Sequence, residues 1–252
     1  MIDPVWGPQY AAINPSITQS NTYSSIGNAM YNGLTVSLTK RYTNHFQAQL
    51  NYTFSKAIDD STDFNSQFAS FFPTRLNLER GISAYNVPQN FVANAVYNTP
   101  FKAGSGSPWW SRALADMALA PILQMRSGIP FTIRVPGATN GTLGHNLYAR
   151  PWYVERNTGI GPDFYAVDLK LTKSFYIDRE RGLRLEAIVE GTNLLNHTNF
   201  SSVNDQFPVG DPLLLTGPFN VTGNKSLSPT DPLGFTSAFA GRQIQFGLRF
   251  AF

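Results

Sequence analysis

Three carboxylates crowd one short stretch, Asp59, Asp60 and Asp63, and closely spaced hard oxygen donors are what a divalent cation takes. The same residues also suit a solvated loop start, because Asp bonds its own backbone in turns. With Arg75, Asp59 and Asp60 are the loop residues expected to contact a ligand. A second set of charges, Arg184, Glu186, Glu190, Asp168, Lys170 and Arg249, sits on alternate positions of amphipathic segments. Opposite charges placed in this way can pair across neighbouring strands. Beyond these the chemistry thins out. The chain has no cysteine, so it has no disulfide, thiolate nucleophile or thiolate zinc site. His45, His145 and His197 lie far apart and form no H-E-x-x-H pattern. His197, between Asn196 and Thr198, reads as a turn residue rather than a ligand. No Ser/His or Asp/His set can be assembled, so no enzymatic activity, metal site or cofactor is expected.

Composition narrows the class further. Charged residues make up 14% of the 252, well under the ~25% usual for soluble domains. Hydrophobic residues reach 42% and aromatics 13%, so something other than charge must keep the protein dispersed. Net charge is +3, but Lys and Arg form no run, and the gathering Asp178-Arg179-Glu180-Arg181 is mixed in sign. No nucleic-acid partner is expected from such a pattern. The longest apolar stretch, Ala113 to Leu123, is interrupted by Asp116 and Pro121, too short for a membrane-spanning helix. The opening Met1-Ile2-Asp3-Pro4-Val5-Trp6 lacks a basic and an apolar region, so the expectation is either no export or a missing N-terminus.

The elements that must position the charges are strands. Alternation of period two marks segments whose two faces meet different surroundings. In 34–42, Leu34, Val36, Leu38 and Tyr42 oppose Thr35, Ser37, Thr39 and Arg41. In 46–55, Phe46, Ala48, Leu50, Tyr52 and Phe54 oppose Gln47, Gln49, Asn51, Thr53 and Ser55. The pattern returns over 91–98, 167–175 and 183–192, and most cleanly at the end, where Ile244, Phe246, Leu248, Phe250 and Phe252 share a face. A seventh strand, about 117–126, is interrupted by Pro121. Strands of roughly 9–11 residues suffice to cross a bilayer at ~45° tilt. Connections alternate short and long throughout, which is the layout of an outer-membrane barrel with short periplasmic turns and long outer loops. Tyr42, Phe46, Phe101, Trp109, Trp110, Phe175, Tyr176 and Phe252 gather at the short-turn end, as an interfacial girdle would. Lys40 and Lys173 fall on apolar faces near that end, where a long side chain can snorkel. The expected fold is all-β: an antiparallel up-and-down transmembrane β-barrel segment whose apolar face meets lipid and whose polar face lines a wet interior.

Particular residues also carry a family likeness. Tyr31-Asn32-Gly33-Leu34-Thr35-Val36-Ser37-Leu38 and Asn51-Tyr52-Thr53-Phe54-Ser55-Lys56-Ala57-Ile58-Asp59-Asp60 resemble paired strands of TonB-dependent outer-membrane receptors of the Oar-like group. Gly191-Thr192-Asn193-Leu194-Leu195-Asn196-His197-Thr198-Asn199-Phe200 looks like the N-L-F-N-H-T-N-F segment near the end of those barrels. Arg126-Ser127-Gly128-Ile129-Pro130-Phe131 is similar to their S-G-x-P-F strand end. The last strand, with Phe246, Leu248, Phe250 and Phe252, resembles the terminal aromatic signal read by the barrel-assembly machinery. The resemblance implies about 7–8 strands of a 22-stranded barrel, in the cell outer membrane of a Gram-negative type. It implies 31–252 as the C-terminal part of that barrel, and 1–30 as the tail of an outer loop with a partial strand near Tyr10 to Ile17. The implied partners are outer-membrane lipid, the assembly machinery, an unknown extracellular ligand, and an N-terminal barrel and plug through which TonB would be contacted. A passive porin-like barrel and a soluble β-rich glycan-binding module are the alternative readings.

Overall fold

The computed structural model describes residues 2–3, 7–8, 25–61, 76–101, 104, 106–136, 148–151, 153–208 and 210–252. Arg75, Asp63 and the segment Tyr10 to Ile17 lie outside them. Seven long strands form one sheet: β1 Ala29–Thr43, β2 Phe46–Asp59, β3 Gln89–Asn98, β4 Met117–Arg126, β5 Phe164–Asp178, β6 Leu183–Thr192 and β7 Gln243–Ala251. Each pairs antiparallel with its neighbours in chain order. All seven segments marked by alternation are therefore strands, and the sheet is an up-and-down wall.

Register keeps the two faces separate. One row runs Thr43, Phe46, Tyr97, Leu119, Leu171, Val189, Phe246 across all seven strands. Another runs Thr39, Gln49, Asn94, Ile122, Asp168 on the opposite face. Thr43 ends β1, whereas Phe246 lies near the middle of β7. The wall thus slips by a little under one residue per strand, a tilt of roughly 30–35° for a ~3.3 Å rise and ~4.8 Å spacing. Transmembrane barrels tilt by about 35–45°.

Three local features refine the alternation. Asn44 and His45 turn the first hairpin with φ of 53° and 65°, the positive values a tight two-residue turn requires. Just before it the register shifts between Lys40 and Thr43, so Arg41 and Tyr42 both oppose Gln47. Such a bulge re-aims side chains: Tyr42 leaves the apolar face expected for it, and its hydroxyl accepts a hydrogen bond from Asn98 Nδ2 at 3.1 Å. Tyr176 also departs from the expected girdle, because its register partner Arg184 puts it on the polar face. There the Arg179 guanidinium lies over its ring at 4.3 Å. Pro121 sits mid-sheet. On one side its position pairs with Leu169 without a break, but on the other the ladder lapses between Asn94/Ile122 and Tyr97/Leu119, as a residue without an N–H dictates.

The short connection between β3 and β4 holds a helix that periodicity did not reveal, α1 Trp109–Leu114. Its last carbonyls lack intrahelical donors, and Lys173 supplies them. Lys173 Nζ donates to the Arg112 and Ala113 oxygens at 2.9 and 3.0 Å and also reaches the Ala115 oxygen. Lys173 shares its face with Leu171 and Phe175, so α1 is tied to the apolar side of the wall. Trp109 is 81% exposed there.

The long connections all leave the other end and pack together as a cap. Short pairings brace it: Pro130–Phe131 with Gly159–Ile160, Val135–Pro136 with Tyr148–Ala149, and Phe200–Val203 with Phe235–Ala238. Ile133, Val135, Val154, Phe207, Leu214 and Val221 form its core, with Phe131, Phe219 and Leu233 packed around them. Among the described residues the main apolar core is thus in the connections and not in the strands.

Candidate functional site

The polar face of the wall gathers most of its charges toward the C-terminal strands. Glu186 is 4% exposed and is held from two sides. Arg184 Nε donates to its Oε1 at 2.7 Å from two positions along the same strand, and Arg249 Nε donates to its Oε2 at 2.7 Å from β7. Arg249 and Glu186 are register partners, so this pair staples β6 to β7. Lys170 and Glu190 face each other across β5 and β6, with Nζ 2.6 Å from Oε1. Among the described residues Asp168 pairs with no cation; its Oδ1 accepts the Asn193 N–H at 2.8 Å. Three cations and three anions therefore meet on this face and largely neutralise one another. What the arrangement can do is link β5, β6 and β7 through side chains as well as through the backbone ladder. No group in it is positioned as a nucleophile with a base.

Asp59 and Asp60 stand at the outer end of β2, and both are turned inward. Asp59 is 4% exposed and Asp60 3%. Arg156 Nη2 donates to Asp59 Oδ1 at 2.8 Å, and its Nη1 reaches the backbone oxygens of Glu79 and Asp59. Asp60 accepts the Asn28 N–H at 2.7 Å and Asn28 Nδ2 at 3.1 Å. Asp59 fastens the cap to the wall and Asp60 ties the end of β2 to the start of β1, so neither carboxylate presents its oxygens outward. Arg150, bonded to buried Glu79, belongs to the same junction. Burial pushes the Arg150 guanidinium below its ordinary value, and the Glu79 carboxylate pushes it back up.

The Asn-rich block after β6 is a fastening too. Asn193 and Asn196 take positive φ of 48° and 50°, a conformation Asn tolerates better than most residues. The Asn193 side chain bonds the backbone of His197 in both directions. Asn199 does the same to Tyr165, accepting its N–H at 2.8 Å and donating to its oxygen at 2.7 Å, so a side chain extends the ladder where the strand has ended. His197 Nδ1 lies 3.1 Å from Asn199 Oδ1 and belongs to this turn.

Across the wall, the Ser-Gly-x-Pro-Phe segment crosses the chain before β5 with no space between backbones. A Cβ on Gly128 would fall 1.8 Å from the Gly161 oxygen, and one on Gly161 would fall 2.4 Å from the Ile129 oxygen. Only glycine fits such a close approach. Sequence reasoning gave this segment no role in a site. The spacing of Gly128 and Gly161 about flanking prolines was the available signal.

A family model described as an outer membrane beta barrel domain matches residues 3–155, well over half of the chain. That stretch holds β1 to β4 and much of the cap. No curated protein and no solved structure matches.

Proposed function

Because the chain belongs to the outer-membrane β-barrel domain family and resides in the outer membrane, we propose that it is the C-terminal wall and cap of a larger barrel. The barrel is a TonB-dependent receptor of the Oar-like group, working by binding and passage and not by catalysis. The observation that carries this reading is the parity of the wall. Seven strands paired antiparallel leave β1 and β7 running in the same direction. Among the described residues neither edge has a partner on its outer side. Joining β7 directly to β1 would make a parallel pair, and a ring of identical copies would repeat that fault at every joint. Open edges are not tolerated in lipid, so up-and-down closure calls for an odd number of further strands. A larger barrel provides them, together with the plug through which TonB is engaged, while the cap stands over the mouth to receive the ligand.

Planar-bilayer recording of the protein purified from outer membranes tests this. A plugged receptor passes no steady current and, in energised cells, crosslinks to TonB. A steady ohmic conductance with no TonB crosslink would overturn the reading in favour of a passive porin.

A further inference from the structure

Two segments singled out by their family likeness, 126–131 and the Asn-rich block ending at Phe200, meet where the polar face of the wall passes under the cap. Between them lies a cavity of about 340 Å³, within the range of small-molecule sites. Phe164, Phe200 and Phe239 are among its lining residues. Phe164 and Phe239 pack edge to face at 5.4 Å, and Phe200 is backed by Phe235, stacked at 4.1 Å, so these rings are held in place.

Charge decides what the cavity accepts. Arg134 on its wall is neutralised by Asp205, which it grips with two hydrogen bonds of 2.8 and 2.7 Å. Asp163, beside Phe164, is engaged by the Gly128 N–H at 2.9 Å. Arg126 differs. Its guanidinium lies over the Phe164 ring at 5.2 Å, and among the described residues it takes part in no ion pair or side-chain hydrogen bond. One uncompensated guanidinium, half-buried against aromatic faces, matches an oxyanion carried on an apolar body.

We propose that this cavity binds a small organic carboxylate, with its head on Arg126 and its aryl or alkyl body among Phe164, Phe200 and Phe239. The site names a ligand class for the receptor reading and rests on it only for placement, because binding here needs no TonB. The test is fluorine NMR of 4-(trifluoromethyl)benzoate added to the detergent-extracted protein, with the neutral 4-(trifluoromethyl)benzamide as its control. Saturable broadening of the benzoate is expected, with the benzamide about ten-fold weaker or more. Arg126→Gln should remove the difference between the two probes and Arg126→Lys should keep part of it. Phe239→Ala, at an exposed ring, should weaken both probes and so reports on the site even if the arginine variants fail to fold. Equal binding of the two probes to the unaltered protein, or a preference that survives Arg126→Gln, would overturn the proposal. Failure of TonB crosslinking with these results intact would count against the receptor reading alone.

Discussion

The wall and the cap are built from one chain by opposite rules. Of the eight apolar residues buried among the described ones, only Ala166 belongs to a wall strand. The apolar side chains of the wall point outward, as Leu38, Phe246 and Leu248 do, at 65%, 80% and 76% exposure. In the cap, Ile133, Val154 and Phe207 are fully enclosed. Polar groups reverse in the same sense. Across the wall each pair keeps at least one exposed or half-exposed partner, as in Lys170–Glu190 and in the Arg249 that holds enclosed Glu186, while at the cap junction Arg156 and Asp59 are both enclosed, at 4% and 5% side-chain exposure. The difference follows from the solvent. A wall in lipid gains nothing by hiding its apolar side chains, whereas a cap in water must bury its own to hold a shape.

Three tests press on that contrast. The largest effect is expected at the junction. Arg156→Met strands the Asp59 carboxylate in a buried site, at a cost of about 3–5 kcal/mol. Hydrogen exchange should rise steeply over 76–88 and 153–160 and stay unchanged in the middle of β4 and β5. Equal loosening of both regions would mean that the cap has no separate core. Next comes the wall. Leu171→Arg puts a charge on the lipid-facing row and should cost about 2–4 kcal/mol. Thr172→Arg, one residue on and on the polar face, should stay within about 0.5 kcal/mol. Urea unfolding from lipid vesicles reads both, and similar values would erase the assignment of faces. The last test is Gly128→Ala, where forced separation from Gly161 should cost about 1–3 kcal/mol. It should appear in thermal melting of the cap and leave the heat-modifiable migration of the wall intact.

The wall was legible in the sequence and the cap was not, for reasons visible in particular residues. Alternation is local, so Phe46 through Ser55 declare a strand and its two faces within ten positions. The pairing of Glu186 with Arg249 could be anticipated as a cross-strand possibility because both lie on alternating polar positions. Arg156 and Asp59 are 97 positions apart, and nothing near either residue announces the other. From the sequence Asp59 and Asp60 look like outward loop residues, whereas in the fold both carboxylates are buried and engaged. Bulges escape as well: Tyr42 has the right parity for the apolar face until one extra residue turns it over. Helix α1 is only six residues long, too brief for a 3.6-residue period to show. Its surviving signals are Pro108 ahead of the paired tryptophans and the lysine on β5 that closes its end. The cavity is the least legible feature, since it is assembled from the two connections that follow β4 and β6 and from the strand ends beside them.

The parallel run of the two edge strands has a bearing on descent. A wall of this kind grows or shrinks harmlessly only by whole hairpins. Gaining or losing two strands leaves every remaining connection on the side it already occupies. Gaining or losing one would send all the connections beyond it to the opposite side of the membrane. Barrels of different girth in one lineage are then expected to differ by duplicated or deleted hairpins, and a junction such as Arg156 to Asp59, which ties the β4–β5 connection to the end of β2, is lost if either of its hairpins is deleted.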